Sequence, residues 1–282
     1  MRIPNVGYHF ARTEGDAVRR FYRMALPMIV RRKIRPRCET PVDLFTYSGE
    51  AMLPEQVASI RSFLRYAGRP KRCTIYSDGS YTPRSIALLE QIDPVVRVSK
   101  STPPPSMQLP EKFRSYLATH PTGKQLAVIM SLPVEHQPAL YVDSDVLFFP
   151  AANDLLSLIE RRDAPAFYLA DCQIAADARL FRDPSEQERP VNTGCLLLFQ
   201  PLDWSLGIAR FLELNGAPNF FTNQTMTHLT LHANGAIPFD HRKYALRLDD
   251  QFVYRDRYAG KSLALRHYVS PVRHKFWTKL FR

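Results

Sequence analysis

Two carboxylates two residues apart, Asp143 and Asp145, interrupt an otherwise apolar run. Ala139-Leu140-Tyr141-Val142 precedes them and Val146-Leu147-Phe148-Phe149 follows. A charge inside such a strand is costly unless it is paired or binds a cation. On an extended chain residues i and i+2 share a face, so the two carboxylates can converge on one hard divalent ion while Ser144 points away. Carboxylate oxygens suit Mn2+ or Mg2+, and such an ion bridges diphosphate oxygens. The bland alternative is a surface turn. A phosphatase of the haloacid dehalogenase type also places Asp-x-Asp after an apolar strand. That chemistry needs Thr or a similar residue two positions after the second Asp, where this chain has Leu147.

Three further groups could act with the pair. Val191-Asn192-Thr193-Gly194 reads as a tight turn ahead of an apolar strand, with the Asn192 amide and nearby backbone free to bond sugar hydroxyls. Thr222 fits a helix N-cap, which puts the Asn223 and Gln224 amides in the first turn, facing either a ligand or solvent. His267 closes a late strand and is followed by Lys275, Phe276 and Trp277. A lone histidine is more often structural. Here its imidazole could complete a metal site, and Lys275 could neutralise diphosphate charge. Asp171, at another strand end, is a turn residue or a contact to a sugar or acceptor.

The elements that must position these residues alternate. Strands are predicted at 43–47, 73–77 and 95–98, with helices at 54–67 and 83–92 between them. This βαβαβ opening predicts a parallel sheet covered on both faces, with ligands outside the carboxyl ends of its strands. A Pro-rich loop follows at 101–110, then a helix at 123–135 that breaks near Pro133, and the strand 139–142. Further on come a short helix at 153–161, a strand at 166–170, a polar excursion at 175–190 and a strand at 194–199. Helices at 204–214 and 223–232 precede a strand at 263–268. Residues 1–40 show no pattern beyond being basic.

In this order the motifs resemble the retaining glycosyltransferases of family 8. Those combine strand-Asp-x-Asp, Asn-x-Gly before an apolar strand, an amide or acid followed by Gln at a helix start, and His-Tyr-x-Gly-x-x-Lys-Pro-Trp. The resemblance covers roughly residues 42–277 and implies a GT-A fold, a three-layer α/β/α domain around a mostly parallel, mixed sheet. It implies Mn2+ (or Mg2+) on Asp143, Asp145 and His267, and a nucleotide diphosphate sugar, most often a UDP-sugar, as donor. Thr46 and Tyr47 would hold the nucleobase, and Lys124 and Ser144 would line the donor site. Asn192, Thr193, Gly194 and Gln224 would contact the sugar, and Lys275 the diphosphate. Departures are visible: Asn223 stands where many members have Asp, and Ser270 replaces the Gly after the histidine. Phe276 replaces Pro, and the interval from His267 to Lys275 is two residues longer. The resemblance implies transfer with retention to a hydroxyl of a glycan or lipid-linked acceptor. With no carboxylate nucleophile evident beside Asn223 and Gln224, a front-face course is expected, with Asp171 as a further candidate.

Composition sets the surroundings. The 282 residues divide into a basic extension (1–41), one catalytic domain (42–277) and a basic aromatic tail (278–282). The net charge of +11 is uneven: residues 1–40 carry ten Lys/Arg against three acids, and 241–282 carry eleven against three. Basic ends suit an anionic partner. The alternation of His274, Lys275, Phe276, Trp277, Lys279, Phe281 and Arg282 suits peripheral contact with an anionic membrane. No run approaches the roughly 18–20 apolar residues of a membrane span. Four cysteines without a C-x-x-C pair suit a reducing cytoplasm, so the expected location is cytoplasmic, with contact to the inner face of the membrane. Two alternatives remain. A sugar-phosphate nucleotidyltransferase would need a basic Gly-rich loop that 46–50 lacks. A nucleic-acid-binding protein would explain the charge but not the paired acids.

Overall fold

The computed structural model describes residues 5–279. The first element, α1 (Val6–Arg31), is a 26-residue helix where the sequence alone shows no pattern. Asn5 caps it by accepting the Tyr8 N–H at 3.1 Å. After it come β1 (Glu39–Ser48), α2 (Leu53–Tyr66), β2 (Arg69–Ser77), α3 (Pro83–Glu90) and β3 (Val96–Ser99), the predicted βαβαβ unit. Next are α4 (Glu111–Thr119), which the sequence reading omits, α5 (Pro121–Met130), β4 (Ala139–Val142) and β5 (Val146–Phe148). The chain continues through α6 (Asp154–Arg161), β6 (Ala166–Ala170), β7 (Val191–Leu198), α7 (Ser205–Leu212) and α8 (Thr222–Ala233). It ends with β8 (Ile237–Pro238), β9 (Tyr244–Ala245), β10 (Leu265–His267) and α9 (Arg273–Lys279).

Seven strands form the central sheet in the order β3-β2-β1-β4-β7-β6-β8. β7 runs antiparallel to both its neighbours, and the other pairings are parallel. Side-chain alternation sends each strand's residues into two cores. Leu140 and Val142 of β4 join the core beneath α1, α2, α3, α6 and α9. Ala139 and Tyr141 join the core under α4, α5, α7 and α8. The result is the expected three-layer α/β/α arrangement. A small sheet, β5-β10-β9, carries His267 to the end of β4.

The α1 helix is bound to the domain along one stripe: Ala11, Gly15, Tyr22, Leu26 and Val30 are buried. Arg19 reaches the buried Glu55 of α2, with Nε to Oε1 at 2.5 Å and Nη2 to Oε2 at 3.0 Å. Tyr22 packs against Trp277 of α9 with ring centroids 5.2 Å apart. At Gly15 the helices almost touch, because a Cβ there would lie 2.5 Å from the backbone oxygen of His274. We expect Gly15→Ala to cost about 1–3 kcal/mol in chemical denaturation, since backbone must move. Gly7→Ala on the same helix meets only an ordinary 3.4 Å contact. It should stabilise by about 0.5–1 kcal/mol through helix propensity.

Much of the basic aromatic C-terminal segment is interior. Arg266, Lys275, Phe276 and Trp277 are all buried. Arg266 donates to Asp250 (Nη2 to Oδ1, 2.8 Å) and to Asp256, and Tyr268 donates to Asp256 at 2.9 Å. These residues therefore face protein, not a membrane. Leu280, Phe281, Arg282 and the side chain of Lys279 lie outside the described residues.

Candidate metal and donor site

The Asp143-Ser144-Asp145 segment is a turn between β4 and β5 rather than a continuous strand, with the Val146 N–H 3.3 Å from the Asp143 carbonyl. The carboxylates converge because the chain turns at the carboxyl end of β4, not because of strand alternation. Ser144 is buried in this turn. His267 arrives from β10, with Nε2 3.0 Å from Asp145 Oδ1 and 3.7 Å from Asp143 Oδ2. One ligand atom from each of Asp143, Asp145 and His267 lies within 4.8 Å of the others. Two carboxylates and an imidazole suit a divalent ion such as Mn2+, so the donor set fits the metal that the sequence implies.

The neighbours hold each ligand in place. Asp143 Oδ1 accepts from Tyr141 Oη and Gln125 Nε2, each at 2.9 Å. Gln125 Oε1 in turn accepts from Asn223 Nδ2 at 2.9 Å. Asn192 Oδ1 accepts from the Gly194 N–H at 2.9 Å and faces His267 Nδ1 at 2.8 Å. That second contact fixes the proton on Nδ1 and turns Nε2 toward the carboxylates, the usual outer-shell device of a metal-binding histidine. Asn192 Nδ2 donates to Asp171 Oδ2 at 3.1 Å, and Gln224 Nε2 approaches the same oxygen at 3.4 Å.

Electrostatics separates the two carboxylates. Burial pushes Asp143 up to about 6, against the pull of His267. Burial also opposes the charge on Asp145, but His267 and Arg273 outweigh it and hold that carboxyl down at about 2. His267 is raised: burial works against its charge, and Asp145 and Asp143 overcome it.

Several sequence expectations change here. Asn192–Thr193–Gly194 is not a turn. It lies inside β7, where pairing with β6 shifts from Tyr168↔Leu196 to Leu169↔Asn192. Such a bulge re-aims side chains at a site. Gly194 lets the histidine approach the strand, since a Cβ on it would lie 2.2 Å from His267 Nδ1. Thr193 is buried in the same bulge. Thr222 is a helical residue rather than the cap, and its hydroxyl donates to Asp177 at 2.8 Å. Lys275 points away, with Nζ bonded to the Val253 and Arg255 carbonyls at 2.7 and 2.9 Å. The cation at the site is Arg273, whose Nη2 lies 2.6 Å from Asp145 Oδ2. Arg273 stands six residues after His267, the spacing of the family lysine, so no lengthened interval is needed. Its buried Nε has no hydrogen-bond partner among the described residues. Gln125, not Lys124, contacts Asp143; Lys124 is about 100° round the same helix.

At the rim, Tyr47, next to last in β1, is half-buried, and burial lifts its phenol to about 12. Thr46 faces the opposite side of the sheet and donates to Gln56 at 2.9 Å. Ser270 is exposed ahead of α9.

No protein-family model matches the chain, and no curated protein matches it by sequence. Solved structures do. The galactosyltransferase LgtC, solved with donor and acceptor sugar analogues, superposes with a TM-score of 0.53 at 15% identity, covering 85% of this chain and 94% of that one. The chain has a family 8-like GT-A glycosyltransferase fold. Mouse xyloside xylosyltransferase 1 shares the GT-A fold with a TM-score of 0.53 at 12% identity, over 83% of this chain and 99% of its own. The bifunctional glycosyltransferase WbbM matches at 0.54 and 12% identity, over 85% of this chain and 48% of that one. In the GT-A sheet of the present chain, the Asp143–Asp145–His267 cluster lies at the carboxyl end of β4, where α/β sheets of this kind bind ligands.

Proposed function

We propose that the protein is a metal-dependent glycosyltransferase that moves a sugar from a nucleotide diphosphate donor, a UDP-sugar in the first instance, to a glycan or lipid-linked hydroxyl with retention. The convergence of Asp143, Asp145 and His267 at the sheet's ligand edge carries this reading. When bound there, Mn2+ or Mg2+ supplies Lewis-acid stabilisation of charge on the diphosphate. Arg273, its side chain 39% exposed, adds a guanidinium beside Asp145 that can meet a phosphate oxygen. Tyr47 lies at the end of β1, where the base would rest. Asn192, Gln224 and Asp171 form one hydrogen-bonded group suited to sugar hydroxyls.

In the proposed transfer, the bond from the anomeric carbon to the diphosphate oxygen breaks. The acceptor oxygen bonds that carbon from the same face, and its proton passes to the departing phosphate oxygen. Asp171 Oδ2 is already engaged by the Asn192 and Gln224 amides. That makes it an orienting group rather than a nucleophile.

The test is a thermal-shift panel of UDP-, GDP- and CDP-sugars with and without Mn2+. A binding donor raises the melting temperature by mass action, and only with metal. Arg273→Ala should keep Mn2+ binding but weaken donor binding by about tenfold or more. No metal-dependent shift with any donor would remove this reading.

A further inference from the structure

The α1 helix has two apolar stripes, and among the described residues only one is buried against the fold. Opposite the buried stripe lie Val6, Phe10, Phe21, Met24 and Met28, each more than half exposed. Ala17, also exposed, falls between them. These six positions recur at helical spacing and make one continuous outer face. Exposed apolar side chains are ordinary when scattered, but a contiguous run marks an interaction surface.

Charge selects the partner. Arg12, Arg20, Arg23 and Arg31 are exposed on α1, and Arg32, Lys33, Arg35 and Arg37 follow it, all exposed. Residues 6–37 contain only two acids, Glu14 and Asp16. A second copy of the chain would press the same arginines against one another. Nucleic acid would satisfy the bases but would leave phenylalanine and methionine against phosphates. A bilayer surface rich in anionic headgroups satisfies both: phosphates meet the arginines, and the apolar stripe enters the acyl boundary. We infer that α1 is a membrane-surface helix that docks the protein flat on anionic lipid. The inference places membrane contact at the N-terminal helix, because Lys275, Phe276 and Trp277 of the C-terminal segment are interior. It does not depend on the transferase reading, since vesicle binding needs no donor.

The experiment is co-sedimentation of the full chain with phosphatidylcholine vesicles, with or without phosphatidylglycerol. The wild type should bind the anionic vesicles and not the neutral ones. Phe21→Ser with Met24→Ser should weaken binding about tenfold. Arg20→Glu with Arg23→Glu should also weaken it about tenfold, and added salt should mimic that loss. Because these side chains are exposed, all variants should melt where the wild type does. Binding indifferent to both pairs, or absent in the wild type, overturns the inference. So does a serine pair that turns a dimer into a monomer in sedimentation velocity without vesicle binding. DNA binding that tracks only the arginine pair, with no vesicle binding, also overturns it.

Discussion

Asp143→Asn should melt higher than the wild type in metal-free buffer and yet lose donor binding. The ionised carboxylate is disfavoured in the fold, since burial lifts it from 3.8 to about 6. The sign follows from proton linkage. Between those two values the folded state holds the proton more tightly than the unfolded chain does, so wild-type stability falls as pH rises. Above about 6 the full penalty is present. Asparagine keeps an oxygen for Tyr141 and Gln125 and carries no charge. The gain should be about 1–3 kcal/mol at neutral pH, closing as the pH falls toward 4. Function moves the other way: with one ligand gone, metal-dependent transfer should drop by at least about 100-fold. Paired melts with EDTA and with Mn2+, across pH, check both halves. A variant less stable than the wild type without metal would show that Asp143 is held by its partners rather than strained by burial.

Gly194→Ala is expected to disable the site without altering any candidate ligand residue. Its Cβ would sit 2.2 Å from His267 Nδ1, 2.3 Å from Cε1 and 2.8 Å from Asn192 Oδ1. Neither His267 nor Asn192 has room to retreat, as both are buried. The imidazole must swing out, losing the Asn192 bond that sets its tautomer. We expect Mn2+ affinity to fall by about 10- to 100-fold or more, and stability by about 1–3 kcal/mol. A double-mutant cycle isolates the cause. With His267→Ala in place the obstruction is gone, so adding Gly194→Ala should cost little further. Full additivity would mean that the alanine harms the strand itself.

The parts of this architecture legible in sequence are those where one periodicity rules. The β1–α2–β2–α3–β3 unit is such a case, because each helix has one apolar face and each strand is bounded by turn residues. The α1 helix is illegible for the opposite reason: it carries two apolar stripes separated by arginines, so no single face stands out. The candidate metal ligands are legible because two acids in an apolar run demand an explanation and His267 ends a strand. Arg273 was hidden by Lys275-Phe276-Trp277, which looks more like the family ending than the residue at the right spacing does. The contacts of Gln125 with Asp143 and of Asn192 and Gly194 with His267 depend on a bulge and on which elements meet at the end of β4. Those are tertiary facts that no local pattern records.

The ion cluster beneath α9 has a consequence in time. Arg266, Lys275, Asp250 and Asp256 are buried together, two positive and two negative, and Lys275 also holds two carbonyls of the stretch that joins β9 to β10. That stretch has almost no regular structure, but it cannot peel away alone. Opening it would strand four charges beside apolar groups, so it opens only when the whole β5-β10-β9 layer does. It therefore behaves as a slow wall rather than a quick loop. Arg273, two residues before Lys275 on the same helix, is therefore held in place beside Asp145 by that wall.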